Sequence, residues 1–206
     1  MSRFVTPEAR VRRPPEEARR SILAAAEKLL VASGPAAVTV RAVAQRVGMT
    51  DAGVTHHFGS RRGLHEALLK QGGRRLRQEL QAVTDQWVED GASLGSLVEA
   101  LAGFYREGYS QLAIALHGAG WRDPGSGMLQ PVVDALHRER LRRDRSAELA
   151  DTRLAVAALH EALAVEPTFG PSFRRSAGIT GRAATAPGAQ VDWWTTTLAQ
   201  RLGLPR

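Results

Sequence analysis

The twenty residues TVRAVAQRVGMTDAGVTHHF, Thr39 to Phe58, restrict the fold more than any other part of the chain. Thr39 is a good helix N-cap, because its hydroxyl can accept from a first-turn N–H that has no partner within the helix. Val40, Val43, Ala44 and Val47 then recur at the spacing of one helical face, and Gly48 can take the left-handed conformation that ends a helix. Thr50 or Asp51 starts a second short helix that runs to about His57. Where the second helix crosses the first, a small residue is needed, and Ala44 supplies it. Val40, Val43, Val47 and Val54 lock the pair. Two short helices joined this way form a helix-turn-helix, which projects the N-terminal residues of its second helix into a DNA major groove.

The flanks agree with that reading. Ile22, Ala26, Leu29, Leu30 and Ser33 share a helical face, Pro14, Pro15, Glu16 and Glu17 suit its start, and Gly34-Pro35 stops it. Beyond Phe58-Gly59, Ser60 caps a further helix with Leu64, Ala67 and Leu68 inward, and Gly72-Gly73 is expected to bend the chain between two modules. Charge divides at the same place. Residues 1–75 hold 14 Lys and Arg against 6 Asp and Glu, a net +8, whereas residues 76–206 hold 14 against 15, a net −1. A basic front on a near-neutral back is the footprint of a polyanion-binding module attached to something else. Residues 1–15, with four Arg and three Pro, are expected to form a disordered basic arm, as a solvated tail in preference to a minor-groove arm.

The back half also predicts helix, with no strand pattern. After a Ser93 cap, Leu94, Leu97, Val98, Leu101, Phe104, Tyr105, Leu112 and Leu116 make one long apolar stripe. Trp121 to Gly127 predicts a loop and Pro131 to about Arg145 a helix. Asp151 is expected to cap a run through Leu154, Ala158, Leu159, Ala162, Leu163 and Val165 that Pro167 halts. Gly170 to Ala189 is rich in small residues and predicts a mobile loop before a last amphipathic helix around Val191 to Leu202. The expected fold is therefore all-α. A three-helix helix-turn-helix domain at 16–72 follows the arm, and a helical bundle for effector binding and dimerisation occupies 73–206.

The front third of the chain resembles the tetracycline-repressor (TetR-like) family. The pattern runs from Ile22, Leu23, Ala25 and Ala26 through Gly34, Thr39, Val40, Val43-Ala44 and Val47-Gly48 to His57-Phe58-Gly59-Ser60-Arg61 and Leu64. The resemblance implies an all-helical homodimer whose two heads occupy successive major grooves of a near-palindromic double-stranded DNA operator. It also implies a variable C-terminal domain that binds a small molecule and releases the DNA. Two positions depart from the family: Thr55 stands where a Tyr is usual, and Arg61 where a Lys is usual. The expected function is a ligand-responsive repressor. The alternatives are an activator, a weakly specific DNA binder, or a helical small-molecule-binding protein.

Physical chemistry assigns the expected contacts. Thr39 and Arg41, at the start of the first motif helix, suit a phosphate. Thr50, Asp51, Ala52, Gly53 and Thr55 form the exposed side of the recognition helix. There Asp51 can accept from a cytosine amino group, and Ala52 or a Thr methyl can touch a thymine methyl. Gly53 would allow close backbone approach, and His56, His57 and Arg61 would grip the flanking phosphates. For the effector, Trp87, Phe104, Tyr105, Tyr109, Trp121 and Met128 are candidate pocket walls, with simple core filling an equal alternative, and the many Ala, Leu and Val residues point to an apolar compound. Leu154, Ala158, Ala162, Trp193, Trp194 and Leu198 are candidates for a four-helix dimer interface or for intramolecular core.

Other classes find little support. The absence of cysteine excludes disulfides, thiolate metal sites and Cys nucleophiles, and suits a reducing cytoplasm. His56 and His57 point about 100° apart on a helix and are ill placed to share a metal ion. His65, His117, His137 and His160 are dispersed, and no nucleophile, base and orienter stand in a recognisable spacing, so neither metal, cofactor nor enzymatic activity is expected. The run Arg138 to Arg145 is expected as a solvated helix face rather than a second nucleic-acid patch. No secretory signal is expected, since Met1 to Arg20 is rich in Arg and Pro and lacks an apolar segment, and no membrane span, since the longest apolar stretches are broken by Arg, Glu or His.

Overall fold

In a computed structural model, the described residues are 14–90, 93–122, 125, 127–186 and 188–206, with the side chains of 86–90 and 189 also outside the description. The expected arm thus falls almost wholly outside them. Ten α-helices follow in order among the described residues, with no strand: α1 (Pro15–Ser33), α2 (Val40–Val47), α3 (Asp51–Phe58), α4 (Arg61–Asp90), α5 (Leu94–Phe104), α6 (Ser110–Gly118), α7 (Gln130–Arg143), α8 (Leu149–Ser176), α9 (Gly181–Thr185) and α10 (Gly188–Leu202).

The front helices pack as a head. Ile22, Ala26, Leu29 and Leu30 of α1 bury against Val43 and Ala44 of α2, Val54 and Phe58 of α3, and Leu64 and Leu68 of α4. Ala44 is fully buried, as the helix crossing demands. The caps read from sequence form as hydrogen bonds: Ala42 N donates to Thr39 Oγ1, Gly53 N to Thr50 Oγ1, each at 3.1 Å, and Gly63 N to Ser60 Oγ at 3.0 Å. Each such cap stabilises its helix by about 1 kcal/mol. Gly48 ends α2 at φ 67° and ψ 32°, a left-handed turn from which Met49 N reaches back to Ala44 O at 3.0 Å.

Five expectations are corrected. The chain does not bend at Gly72-Gly73, because α4 continues through both for 30 residues. Gly72 serves a different need. A Cβ there would lie 2.1 Å from the fully buried ring of Tyr109, so the glycine admits the ring against the helix. The long stripe after Ser93 is not one helix. A π-type turn over Tyr105–Tyr109, with Gly108 at φ 94°, separates α5 from α6 and brings the backbone against α1, where a Cβ on Gly108 would stand 3.1 Å from Leu30 O.

The other three corrections begin at α8. Pro167 does not halt it; the helix passes both Pro167 and Pro171 and ends at Ser176, and it begins at Leu149, leaving Asp151 in the first turn instead of at the cap. Proline costs the bond to the carbonyl four residues back. Burial compensates, because the helix inserts Val156, Leu159 and Leu163 into the core, and Ser110 Oγ donates to Ala164 O at 2.5 Å beside the interrupted bond. Last, Gly170 to Ala189 is largely structured. Within it Arg174 donates to Ala184 O at 2.7 Å, to Glu166 at 2.9 Å and to Gln190 at 2.9 Å, tying α8, α9 and α10 together.

Candidate nucleic-acid interface and ligand cavity

The helix-turn-helix presents α3 outward. Val54 and Phe58 anchor it in the head core, which leaves Thr50, Asp51, Ala52, Thr55 and His56 exposed and Gly53 and His57 half-buried. The five residues expected to face base edges therefore lie together along the N-terminal half of one helix. Arg41 is exposed one residue into α2 and makes no ion pair among the described residues. The hydroxyls of Thr39 and Thr50 each accept a cap bond and still carry a hydrogen to donate outward. From α1, Arg19 donates to His57 O at 2.6 Å and lies 4.3 Å over the Phe58 ring, which steadies the C-terminal end of the recognition helix.

Arg61 has work inside the head. Its Nε donates to Val38 O at 3.2 Å, and its Nη2 to Pro35 O at 3.3 Å and Ala36 O at 3.1 Å, so the guanidinium clasps the turn that leads into Thr39. His65 supports the same turn from the next step along α4, with Nε2 2.7 Å from Val38 O. Burial pulls the imidazole below its ordinary value, against the pull of that hydrogen bond, and the Arg61 charge lowers it further. Because Val38 O can only accept, Nε2 carries the hydrogen and donates it. Sequence alone placed Arg61 at the phosphate strand and left His65 among the dispersed histidines; both shape the entry to α2.

Behind the head, a cavity of about 330 Å³ opens between α4, the α5–α6 turn, the segment around Trp121 and Met128, and α8. Four of the expected pocket residues line it: Phe104, Tyr105, Trp121 and Met128. Tyr105 and His160 meet there, the phenol oxygen 2.8 Å from Nε2. Tyr109 does not line it. Its ring stacks on Phe104 at 4.3 Å and its hydroxyl donates to Glu27 at 2.5 Å, and burial with that bond pushes the phenol far above its ordinary value. Arg75 joins Glu27 and Glu107 at the same place, so α1, α4 and the α5–α6 turn share one polar junction. The Trp87 side chain lies outside the described residues. The α4 lining, Leu69, Lys70, Gly73, Arg74 and Arg77, is not among the wall residues expected from sequence, although its spacing marks one helical face.

No group of three or more His, Cys, Asp or Glu side chains is placed to hold a metal ion among the described residues, and no helix among them is long and apolar enough to cross a membrane. The family model of bacterial regulatory proteins, tetR family, matches residues 22–68, from the middle of α1 through α2 and α3 into the first turns of α4. No curated protein shows significant similarity to the chain. The matched span coincides with the packed head and its outward helix α3, so over residues 22–68 the chain is similar to the DNA-binding domain of bacterial regulatory proteins of the tetR family.

Proposed function

We propose that the chain acts as a homodimeric, ligand-responsive repressor in which a small molecule in the α4–α8 cavity alters the placement of the heads on a near-palindromic operator. The observation that carries this reading is that one helix serves both sites. The first turns of α4 contribute Leu64, His65 and Leu68 to the head, and the next turns contribute Leu69, Gly73 and Arg77 to the cavity wall. A second link supports it: Arg62 at the start of α4 donates to Ala119 O at 3.0 Å, just past the end of α6, and α6 itself contributes Ala113 to the cavity. A ligand acts only through its unequal affinity for two arrangements, and a rigid shared helix is a direct way for occupancy to bias the head.

The proposed dimer face follows α8. Leu154, Ala158, Ala162, Val165, Phe169 and Phe173 recur along one side of the helix, and Leu154 is 69% exposed and Phe173 59% exposed. Trp193 of α10, 59% exposed, stands beside them across a groove that also includes Ile179. Large side chains grouped like this on the surface of one chain mark a protein contact. Trp194 is half-buried and Leu198 buried, so of the expected interface residues these two serve mainly the intramolecular core.

The proposed base contacts are Thr50, Asp51, Ala52, Gly53 and Thr55, and the proposed phosphate contacts Thr39, Arg41, His56, His57 and Arg61. Selection of bound sequences from random duplex DNA at physiological salt tests the reading. One palindromic motif is expected. Asp51→Ala relaxes the preference at a single position in each half-site by about 1–3 kcal/mol, whereas Arg41→Ala weakens all sequences alike and lowers the salt slope by about one. A motif placed over a promoter is expected to lower reporter output when the protein is present; raised output would make it an activator. Absence of any enriched motif would remove the reading.

A further inference from the structure

We infer that the α4–α8 cavity takes an anionic amphiphile, a carboxylate carried on an aryl or alkyl body, with Lys70 and Arg74 as its charge anchors. This rests on reading the cavity as the effector site and names the chemistry of its ligand. Composition had pointed to an apolar compound, and the walls partly agree: Leu69, Phe104, Trp121, Met128 and Ala164 supply hydrocarbon and aromatic surface. The charged part of the lining is one-sided. Lys70, Arg74 and Arg77 are all cations, spaced four and three residues apart on one face of α4, and no Asp or Glu lines the cavity among the described residues.

Two of the three, both exposed to solvent, carry no bonded carboxylate. Arg77 donates to Gly127 O at 2.6 Å and so holds the loop at the cavity edge. Lys70 and Arg74 make no hydrogen bond or ion pair among the described residues. Arg75, the next residue along, is the contrast, for it faces the other way and meets Glu27, Glu79 and Glu107. The helix thus gives one arginine three carboxylates and leaves the lysine and arginine at the cavity without one. Cations gathered at an apolar recess raise the local concentration of anions and pair with a carboxylate by charge-assisted hydrogen bonds.

The volume bounds the ligand's size. About 330 Å³ lies at the lower end of the range for small-molecule sites. A single aryl ring with a short acid tail, or a medium-chain acid, fits that scale. The anchors also carry a consequence for the proposed switch. Because Lys70 and Arg74 are on α4, a carboxylate held there pulls directly on the helix that enters the head.

Isothermal titration of the full chain with phenylbutyrate, phenylbutanol and phenylbutylamine tests the inference, since the three share one hydrocarbon body and differ in charge. The acid is expected to bind at least about tenfold more tightly than the alcohol, and the amine most weakly. In Lys70→Gln/Arg74→Gln the advantage of the acid over the alcohol disappears while alcohol binding stays. Gly73→Leu locates the site: its Cβ meets only Met128 Sδ at 3.5 Å, so the helix tolerates the change while the new side chain fills the cavity and abolishes binding of all three. An alcohol or amine that binds as tightly as the acid would overturn the anionic assignment and leave the effector site standing. A preference for acid that survives the double variant would move the anchor elsewhere and overturn the assignment too. Binding of none of the three, with thermal denaturation confirming a folded protein, would remove both the assignment and the cavity's role as effector site.

Discussion

Gly72 and Gly73 are adjacent on one continuous helix, and the structure gives them opposite meanings. Helix propensity favours alanine over glycine at both by about 1 kcal/mol. At Gly73 the added methyl meets only Met128 Sδ at 3.5 Å, an ordinary contact. At Gly72 it would overlap Cε1 of Tyr109 at 2.1 Å, and that ring is held between Phe104 and the bond to Glu27. Urea denaturation is therefore expected to find Gly73→Ala more stable by about 0.5–1 kcal/mol. The same measurement is expected to find Gly72→Ala less stable by about 1–3 kcal/mol through overpacking. Stabilisation by both changes would mean that the ring does not rest on Gly72.

At the scale of elements, the turn between α1 and α2 is set by α4. Val38 O accepts from both Arg61 and His65, and Thr39, the next residue, caps α2. The turn that sets α2 against α1 thus rests on a buried imidazole whose protonation is opposed by desolvation and by the neighbouring Arg61 charge. The His65 pKa is lower folded than unfolded, so the folded head binds fewer protons and its stability rises with pH. That contribution is complete above the ordinary imidazole value near 6.5 and is lost as pH falls below it toward the folded value. The protection factors of α2 amides, with exchange corrected for its intrinsic base-catalysed rate, are expected to fall between pH 7.5 and 5.5 in the native chain. His65→Gln, which keeps an N–H donor but does not titrate, should flatten the change; an identical response in both proteins would assign it to other groups.

Across the whole molecule, α4 joins the head to the cavity and α8 carries an apolar stripe outward. The proposed dimer depends on that stripe. Leu154→Glu with Trp193→Glu places two charges where large side chains now face solvent, so each protomer should stay folded. Sedimentation is expected to give a monomer for the variant and a dimer for the native chain. Operator affinity should fall by about a hundredfold or more as the second head ceases to be held near its half-site. A variant of unchanged mass would place the contact elsewhere.

Much of the head was legible because its determinants are local. Caps at Thr39, Thr50 and Ser60, the left-handed Gly48 and the small Ala44 act within a few residues of themselves, so the helix-turn-helix and its outward residues followed from spacing. The front-loaded positive charge is likewise a property of composition. The body was less legible, because its decisive contacts join distant segments. Pro167 reads as a stop until core burial of α8 outweighs the lost bond, and Gly72-Gly73 reads as a bend until Tyr109 arrives from 37 residues away. Four aromatic and sulfur-bearing wall residues were recognisable by type, but the cations of α4 were not, since a helical face at 70, 74 and 77 could equally meet solvent. Sequence determined the helices of the head and the outward face of α3 through short-range hydrogen bonding and periodicity. Tertiary structure decided which helices run on, which face closes on the cavity, and which apolar side chains remain uncovered, because those outcomes depend on volume and charge brought together only by packing.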